Sequence, residues 1–207
     1  MILDSIIFDL DGTIWDPIDT VLLAWNSRLK EHPQVHRELT RTDFERTMGL
    51  QMQEISLKLF PHLSEDVREQ VIRACCKVEQ EYLEKHGGSL FPQVETVLQN
   101  LSNSYKLYIV SNCQDGYIES FYAYHKFDKY FQDFENPGRT GLSKGGNIQL
   151  IIERNNLTSP IYVGDSEGDR KAARYARIPF IYAQYGFGQV TEYDDVIEAF
   201  PALAKYY

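Results

Sequence analysis

Short apolar runs alternate with longer segments of helical periodicity through residues 89–207 of this 207-residue chain. The apolar runs, rich in β-branched and aromatic residues, predict an N-terminal strand ending at Phe8 and further strands at 106–110, 131–134, 160–164 and 179–183. Helices are predicted at 93–103, 114–125, 146–155, 167–176 and 191–199. This alternation predicts right-handed crossovers and a mostly parallel sheet covered on both faces, which is an α/β, Rossmann-like core.

Residues 16–88 have a different pattern, in which helical periodicity continues without a convincing strand. Helices are predicted at 17–30, 42–48 and 64–85, and Gly87 with Gly88 closes the segment. The pattern therefore predicts an α-helical insertion at 16–88 in a core made of residues 1–15 and 89–207. The two crossings, at 15–17 and 87–91, are hinge candidates.

Two carboxylates stand at the end of the first apolar run, where Asp9 and Asp11 are followed by Gly12. Residues two apart on a strand share a face, and the glycine allows the chain to turn immediately afterwards. Like charges this close are costly unless a cation or a shared proton offsets them. The pair predicts a divalent metal site or acid/base catalysis, with an acidic β-turn as the alternative.

Two later strands are predicted to bring polar residues to the same place. Ser111 and Asn112 follow the run at 106–110, and Asp165 and Asp169 follow the run at 160–164. Ligands bind beyond the carboxyl ends of the strands in open α/β sheets, so we expect these side chains to meet the acidic pair in one crevice.

Taken together, these segments resemble the haloacid dehalogenase-like (HAD) hydrolase superfamily, specifically its phosphatase branch, across essentially the whole chain. The matching positions, in order, are residues 9–13 for the first motif, Ser111 with Asn112 for the second, Lys144 for the third, and Gly164-Asp165 with Asp169 for the fourth. The resemblance implies a Mg²⁺-dependent phosphatase for a small phosphorylated metabolite, similar to phosphoglycolate phosphatases, with a helical C1-type cap formed by 16–88.

Residue roles follow from that resemblance. Asp9 is expected to be the nucleophile that forms an aspartyl-phosphate, and Asp11 the general acid and base. The expected magnesium ligands are Asp9, Asp11 through its backbone carbonyl, Asp165, and Asp169 directly or through another ligand. The expected substrate-binding residues are Thr13, whose hydroxyl is also expected to fix the first loop, Ser111, Asn112, Lys144, which is also expected to be catalytic, and Arg46.

Several of these assignments have alternatives. Lys144 is followed by Gly145, where the family often has proline, and Arg139 is a nearby competitor. Ser111 could instead cap the helix predicted from 114, and Asp169 could be an acid favoured by a helix N-terminus. Arg46, which could grip a second anionic group, could equally be a solvated helix residue.

Other function classes fit less well. A sugar phosphomutase would share Asp9 and Asp11, and is the main alternative. Dehalogenases generally lack the acid at position 11, and phosphonate-cleaving relatives have alanine there. A phosphorylated signalling receiver would need neither Asp11 nor a cap of roughly 70 residues. A non-catalytic protein that binds a phosphorylated ligand fits less well because every catalytic role has a candidate residue.

The composition of the chain limits the kinds of partner that we expect it to bind. A formal charge of −9 disfavours nucleic acid and anionic membranes, and no apolar run is long enough for a membrane span. No secretory signal is visible from Met1 onward, so we expect a soluble, cytoplasmic monomer or homodimer. Three cysteines make a disulfide framework improbable, and Cys113 is expected to be a packed thiol beside the site. Residues 185–188 are expected to form a loop beside the pocket.

Overall fold

A six-stranded parallel sheet forms the centre of the protein in the computed structural model, which describes residues 3–35 and 37–206. Its strands are β1 (Ser5–Phe8), β4 (Lys106–Val110), β5 (Phe131–Glu135), β6 (Pro160–Gly164), β7 (Phe180–Ala183) and β8 (Asp195–Ile197). The spatial order is β5-β4-β1-β6-β7-β8. Phe8 is level with Ile109 on β4 and with Val163 on β6, so these three central strands end side by side.

Helices cover both faces of the sheet because its strands are apolar on both sides. The core helices are α5 (Val94–Ser102), α6 (Tyr117–His125), α7 (Pro137–Thr140), α8 (Lys144–Arg154) and α9 (Glu167–Ala176). Alternate residues of β1 point to opposite faces, so Ile6 and Phe8 pack with α5 and α6, whereas Ile7 packs with α8 and α9. The expected α/β, Rossmann-like fold is confirmed.

The segment 16–88, which we call the helical insertion, contains four helices in its described residues 16–35 and 37–88. They are α1 (Ile18–Leu29), α2 (Arg41–Glu45), α3 (Met52–Leu59) and α4 (Glu65–His86). The long helix α4 packs against α1 and also against α6 of the core. At the two crossings, β2 (Trp15–Asp16) and β3 (Ser89–Leu90) pair antiparallel. The division into a catalytic core and a cap remains a prediction, and its residues 1–2 lie outside the described residues.

Some predicted elements differ from the structure. The helix predicted at 191–199 is wrong: residues 195–197 form the edge strand β8, and a 3₁₀ helix follows at Phe200–Tyr206. The adjacent β-branched residues Val196 and Ile197 suit a sheet edge, where they pair with β7. The short strand β2, which pairs with β3, and the helices α3 and α7 were not predicted. In the described part of the chain, no helix is both long and apolar enough to cross a membrane.

Candidate active site

Three buried carboxylates meet at the carboxyl end of the sheet. Asp9 follows β1 and Asp165 follows the neighbouring strand β6, while Asp169 lies in the first turn of α9. One oxygen from each residue can be chosen so that all three atoms lie within 4.8 Å of one another. We call Asp9, Asp165 and Asp169 the carboxylate triad.

Lys144 brings a positive charge to the triad from the first residue of α8. Its Nζ atom lies 2.9 Å from Asp9 Oδ1 and 2.6 Å from Asp169 Oδ1, and the side chain is buried. Burial on its own lowers the pKa of an amine, but the charges of Asp169 and Asp9 outweigh it and hold the pKa of Lys144 above its usual value. Lys144 is therefore a permanent cation at this site.

Arg139, the competitor of Lys144, lies elsewhere. Its guanidinium group stacks over the ring of Phe134 at 4.6 Å and lies 3.8 Å from a carboxylate oxygen of Glu135. Gly145 allows α9 to pack closely, since a Cβ atom there would lie 2.7 Å from the Tyr175 ring. The geometry thus places Lys144 at the triad and Arg139 on a partly exposed surface.

Asp169 is held by contacts from three directions. Its Oδ2 atom accepts hydrogen bonds from the backbone N–H and the hydroxyl of Ser166, which caps α9. The hydroxyl of Tyr162, from β6, lies 3.2 Å from Asp169 Oδ1, the same oxygen that contacts Lys144. Asp169 is thus an acid at a helix N-terminus and a member of the triad at once.

The loop after β7 supports Asp165. The backbone N–H groups of Phe187 and Gly188 donate to Asp165 Oδ2 at 2.6 Å and 3.3 Å. Gly186 is required here because a Cβ atom would lie 2.4 Å from the carbonyl oxygen of Gly12. The loop at 185–188 therefore lies beside the site, as expected.

The triad has more negative charge than Lys144 alone can balance. Burial and the charge of Asp169 raise the pKa of Asp9 to about 6, although hydrogen bonds from Lys144 and Ser111 oppose the shift. Burial, followed by the charges of Asp169 and Asp9, also raises the pKa of Asp165. Three hard oxygen donors with one ammonium group fit a divalent cation such as Mg²⁺.

Asp11 has a different environment from the triad. Its Oδ1 atom accepts hydrogen bonds from Trp15 Nε1 at 2.7 Å and from the Tyr117 hydroxyl at 3.0 Å. Burial and then the charge of Asp9 raise its pKa to about 7, against the effect of these bonds. The carboxyl group of Asp11 is therefore available in both its protonated and its ionised form near neutral pH.

The predicted phosphate-binding residues differ in their contacts. Ser111 forms a side-chain hydrogen bond with Asp9. Ser111 does not cap a helix, because α6 begins at Tyr117 with Gly116 before it. The Asn112 amide donates to the carbonyl of Gly49 in the helical insertion at 2.9 Å. Thr13 does not fix the first loop through its hydroxyl, which is buried without a partner; its carbonyl instead accepts from the Tyr185 hydroxyl at 2.7 Å.

Arg46 is not brought to the triad by any contact that we find. It is exposed at the C-terminal end of α2, and its carbonyl accepts a hydrogen bond from Lys58 Nζ. The neighbouring residues Thr47, Met48 and Gly49 do face the core, since they line a cavity next to Asp11. A substrate-binding role for Arg46 remains a prediction without a contact to support it.

That cavity, which we call the Asp11 cavity, has a volume of about 50 Å³ and lies between the core and the helical insertion. Glu79 of α4 is one of its lining residues, and its carboxyl accepts hydrogen bonds from Trp25 Nε1 and, at 3.1 Å, from Gln114 Nε2. Burial raises the pKa of Glu79 to about 7. Cys113 also lines the cavity as a free, buried thiol, in agreement with the prediction.

Sequence reasoning missed Glu79, Tyr117 and Tyr162. Glu79 did carry a signal, because it lies in helical register with the buried residues Cys75 and Leu83 on the apolar stripe of α4. A charged residue on such a stripe is rarely buried without a partner or a role. Tyr162 carried a weaker sequence signal, because its hydroxyl group lies within a strand whose residues are all buried.

The parallel sheet and the acidic cluster at its carboxyl edge define an α/β enzyme fold of the Rossmann-like class. The family model of the haloacid dehalogenase-like hydrolases matches residues 6–183. The chain belongs to this family, and the resemblance found in the sequence is confirmed. No curated protein sequence matches the chain significantly.

Several solved structures share the fold over nearly their full length. A haloacid dehalogenase-like hydrolase from Bacteroides fragilis is 23% identical, with a TM-score of 0.84 over 97% of this chain and 99% of that one. A predicted phosphoglycolate phosphatase from Haemophilus somnus is 20% identical, with a TM-score of 0.85 over 99% and 98%. CbbY from Rhodobacter sphaeroides, solved in complex with phosphate, is 15% identical, with a TM-score of 0.80 over 97% and 96%. At these identities the likeness shows the fold.

Proposed function

We propose that the protein is a Mg²⁺-dependent phosphatase that hydrolyses a small phosphorylated metabolite through an aspartyl-phosphate. The observation that carries this proposal is the contrast between two carboxyl groups two residues apart. Asp9 contacts the ammonium group of Lys144, whereas Asp11 has only neutral hydrogen-bond donors. An ionised nucleophile beside a carboxyl group that can carry a proton is the arrangement that two-step ester hydrolysis needs.

In the first step, an oxygen of Asp9 attacks phosphorus and the bond to the ester oxygen breaks. Asp11 gives its proton to the departing oxygen, which leaves as an alcohol. In the second step, Asp11 takes a proton from water, the water oxygen attacks phosphorus, and the bond to Asp9 breaks, so phosphate leaves and Asp9 is regenerated. A pKa of about 7 suits Asp11 to both transfers.

The triad supplies carboxylate oxygens that would hold Mg²⁺, with the backbone carbonyl of Asp11 as a further ligand. When bound, the ion neutralises negative charge on the phosphate oxygens. We propose that Lys144 and the hydroxyl of Ser111, which both contact Asp9, bind the same oxygens, with the unpartnered hydroxyl of Thr13 as a further donor. We propose that residues 16–88 act as a cap that excludes water from this site.

The names of the structural neighbours agree with a phosphatase. One of them is called a predicted phosphoglycolate phosphatase, and another was solved with phosphate. A phosphomutase of the same family would use the same acids, but it must hold a whole phosphorylated sugar while the phosphoryl group returns. The two functions differ in their product, because hydrolysis releases free phosphate whereas a mutase releases an isomer of its substrate.

The test is phosphate release from a panel of small phosphate esters, with Mg²⁺ or with a chelator, by the wild type and by Asp9→Asn. We expect Mg²⁺-dependent release that falls by about 10³-fold or more in the variant, because the nucleophile is removed. Release that survives either change would overturn the mechanism. Conversion of a sugar 1-phosphate to its isomer without free phosphate would identify a mutase instead.

A further inference from the structure

The Asp11 cavity contains two carboxyl groups and no cationic side chain among the described residues that line it. Asp11 comes from the core and Glu79 from α4 of the helical insertion, so the cavity exists only where the two parts meet. The rest of its wall is largely apolar, with Trp25 and Phe44 among the lining residues. Because Asp11 protonates the departing oxygen in the proposed mechanism, this cavity is where the leaving group lies.

Several hydrogen-bond donors around the cavity already have partners. Trp25 and Gln114 donate to the carboxyl group of Glu79, and Tyr117 donates to Asp11. The same wall presents acceptor oxygens to a ligand. The side-chain oxygen of Asn112 is one of them, since it is buried without a partner while the amide nitrogen of the same residue is fixed on Gly49.

We propose that Glu79 is a specificity-determining residue that selects a leaving group with a hydrogen-bond donor and no negative charge. A hydroxyl group and an ammonium group share this chemistry, and either could donate to Glu79 and to the oxygen of Asn112. This inference rests on the proposed phosphatase function of the site and adds the class of ester that it prefers.

A carboxylate in the leaving group would meet the opposite conditions. It would lie beside Glu79, which is ionised above about pH 7, while Asp11 carries the proton that the departing oxygen needs. No lysine, arginine or histidine is among the described lining residues to balance the charge. Placing like charges together in such a site costs several kcal/mol. Arg46, the one residue expected to grip a second anion, is exposed and does not line the cavity. Phosphoglycolate is therefore a poor substrate by this argument.

Size limits the ligand as well. A cavity needs a volume of roughly 10–15 Å³ to hold one water molecule. The Asp11 cavity, at about 50 Å³, therefore admits a few waters or a short carbon chain. A wider opening of about 530 Å³ shares Met52, Asn112, Cys113 and Gln114 with the Asp11 cavity and leads outward. Esters of two-carbon alcohols are accordingly the right probes.

The experiment compares three such esters that differ in the terminal group alone: 2-hydroxyethyl phosphate, O-phosphoethanolamine and phosphoglycolate. We expect the wild type to hydrolyse the better of the first two with a kcat/KM at least about tenfold above that for phosphoglycolate. The relative rates of hydroxyethyl and aminoethyl esters show which donor the site prefers. A phosphoglycolate kcat/KM equal to or above both would overturn the inference.

The variant Glu79→Gln removes the charge and keeps the shape. We expect it to lower the preference against phosphoglycolate by about tenfold, because the like-charge repulsion is relieved. Each preference is a ratio measured on one preparation, so partial misfolding cancels. The matched control is Glu81→Gln, an exposed change of the same kind two residues along α4, which should keep the wild-type ratio. An unchanged ratio in Glu79→Gln would refute the role of Glu79.

Failure of this inference can be told apart from failure of the proposed function. If no ester releases phosphate, or if Asp9→Asn is as active as the wild type, the phosphatase mechanism is wrong and the inference falls with it. If release depends on Asp9 but phosphoglycolate is preferred, only the inference is wrong.

Discussion

Two groups of acids lie within the same site and differ in what surrounds them. The carboxylate triad contacts Lys144 and lies in the core, whereas Asp11 and Glu79 line one cavity at the boundary with the helical insertion and accept hydrogen bonds from neutral donors. The first group combines three acidic side chains with one ammonium group, so its oxygens can bind a metal cation and Lys144 can bind a phosphate. The second group can carry protons near neutral pH. The contrast shows that a carboxyl group removed from water can serve either of two roles. A neighbouring cation favours its ionised form, whereas neutral donors leave it able to carry a proton.

The largest expected effect comes from removing the cation that distinguishes the triad. Lys144→Met leaves buried carboxylates without their partner, which costs about 3–5 kcal/mol in comparable ion pairs. We expect urea unfolding without Mg²⁺ to show a loss of this order, and phosphate release to fall by about 10³-fold or more because the substrate phosphate also loses a cation.

Lys171→Met on the exposed side of α9 is the control for losing one positive charge. It should change the free energy of unfolding by less than about 0.5 kcal/mol. If the two variants were equally stable, the contacts of Lys144 with Asp9 and Asp169 would not be what holds the triad together.

Asp11→Asn tests the second group, because the amide keeps the size of the side chain and an oxygen for Trp15 and Tyr117 but cannot transfer a proton. Loss of a general acid typically costs about 10²–10⁴-fold in rate. We expect this loss with alkyl phosphates, whose leaving oxygen needs the proton.

The control is in the substrate. With monofluorophosphate, whose fluoride departs without a proton and is small enough for the Asp11 cavity, formation of the aspartyl-phosphate in Asp11→Asn should be nearly as fast as in the wild type, as a single-turnover burst of fluoride. An equal loss with both kinds of substrate would assign Asp11 a structural role.

The residues of the site that could be predicted from the sequence are those that lie in the core next to a strand. Asp9, Asp165 and Ser111 each follow a strand directly, so a short apolar run with a polar turn was enough to place them. The strand positions could be predicted for the same reason, apart from the edge strand β8. Its three residues lie in a polar segment, and only the neighbouring strand β7 makes their extended conformation stable.

Glu79 and Tyr117 could not be placed in this way. Their meeting with Asp11 depends on how α4 packs against α6, and the hydrogen bond from Tyr117 to Asp11 spans 106 residues of chain. No local pattern encodes such a contact. Thr13 shows the same limit, since its carbonyl accepts a hydrogen bond from Tyr185 in a distant loop while its hydroxyl has no partner.

A smaller effect should appear in the pH dependence of stability. The pKa of Glu79 is about 7 in the folded protein against an ordinary value of 4.5, so the folded state binds this proton more tightly than the unfolded state. Its contribution is complete below about pH 4.5 and is lost as the pH rises through about 7. We expect the free energy of unfolding of the wild type, relative to Glu79→Gln, to fall by up to about 3 kcal/mol across this window.

Urea unfolding at a series of pH values, without Mg²⁺, measures this difference. The exposed variant Glu81→Gln should follow the wild type throughout. If the stability of the wild type and of Glu79→Gln changed equally with pH, Glu79 would be ionised to the same extent in the folded and unfolded states. Glu79 would then not share with Asp11 a pKa raised by burial.

The smallest expected effect is stabilisation by Mg²⁺, which tests whether the triad takes a cation as its charge suggests. A ligand at about ten times its Kd stabilises the folded state by about 1.4 kcal/mol. We expect Mg²⁺ to raise the Tm of the wild type accordingly. Asp165→Asn should abolish most of the rise, because one of the three oxygen donors loses its charge.

Asp66→Asn, an exposed acid in the first turn of α4, controls for general effects of Mg²⁺ on a protein of this net charge and should keep the wild-type shift. The comparison with Asp11→Asn is sharper still. The expected contact of Asp11 with the ion is through its backbone carbonyl, so that variant should retain the Mg²⁺ shift while losing turnover. Loss of the shift in Asp11→Asn would mean that the two groups of acids are not separate, and that the side chain of Asp11 takes part in holding the ion.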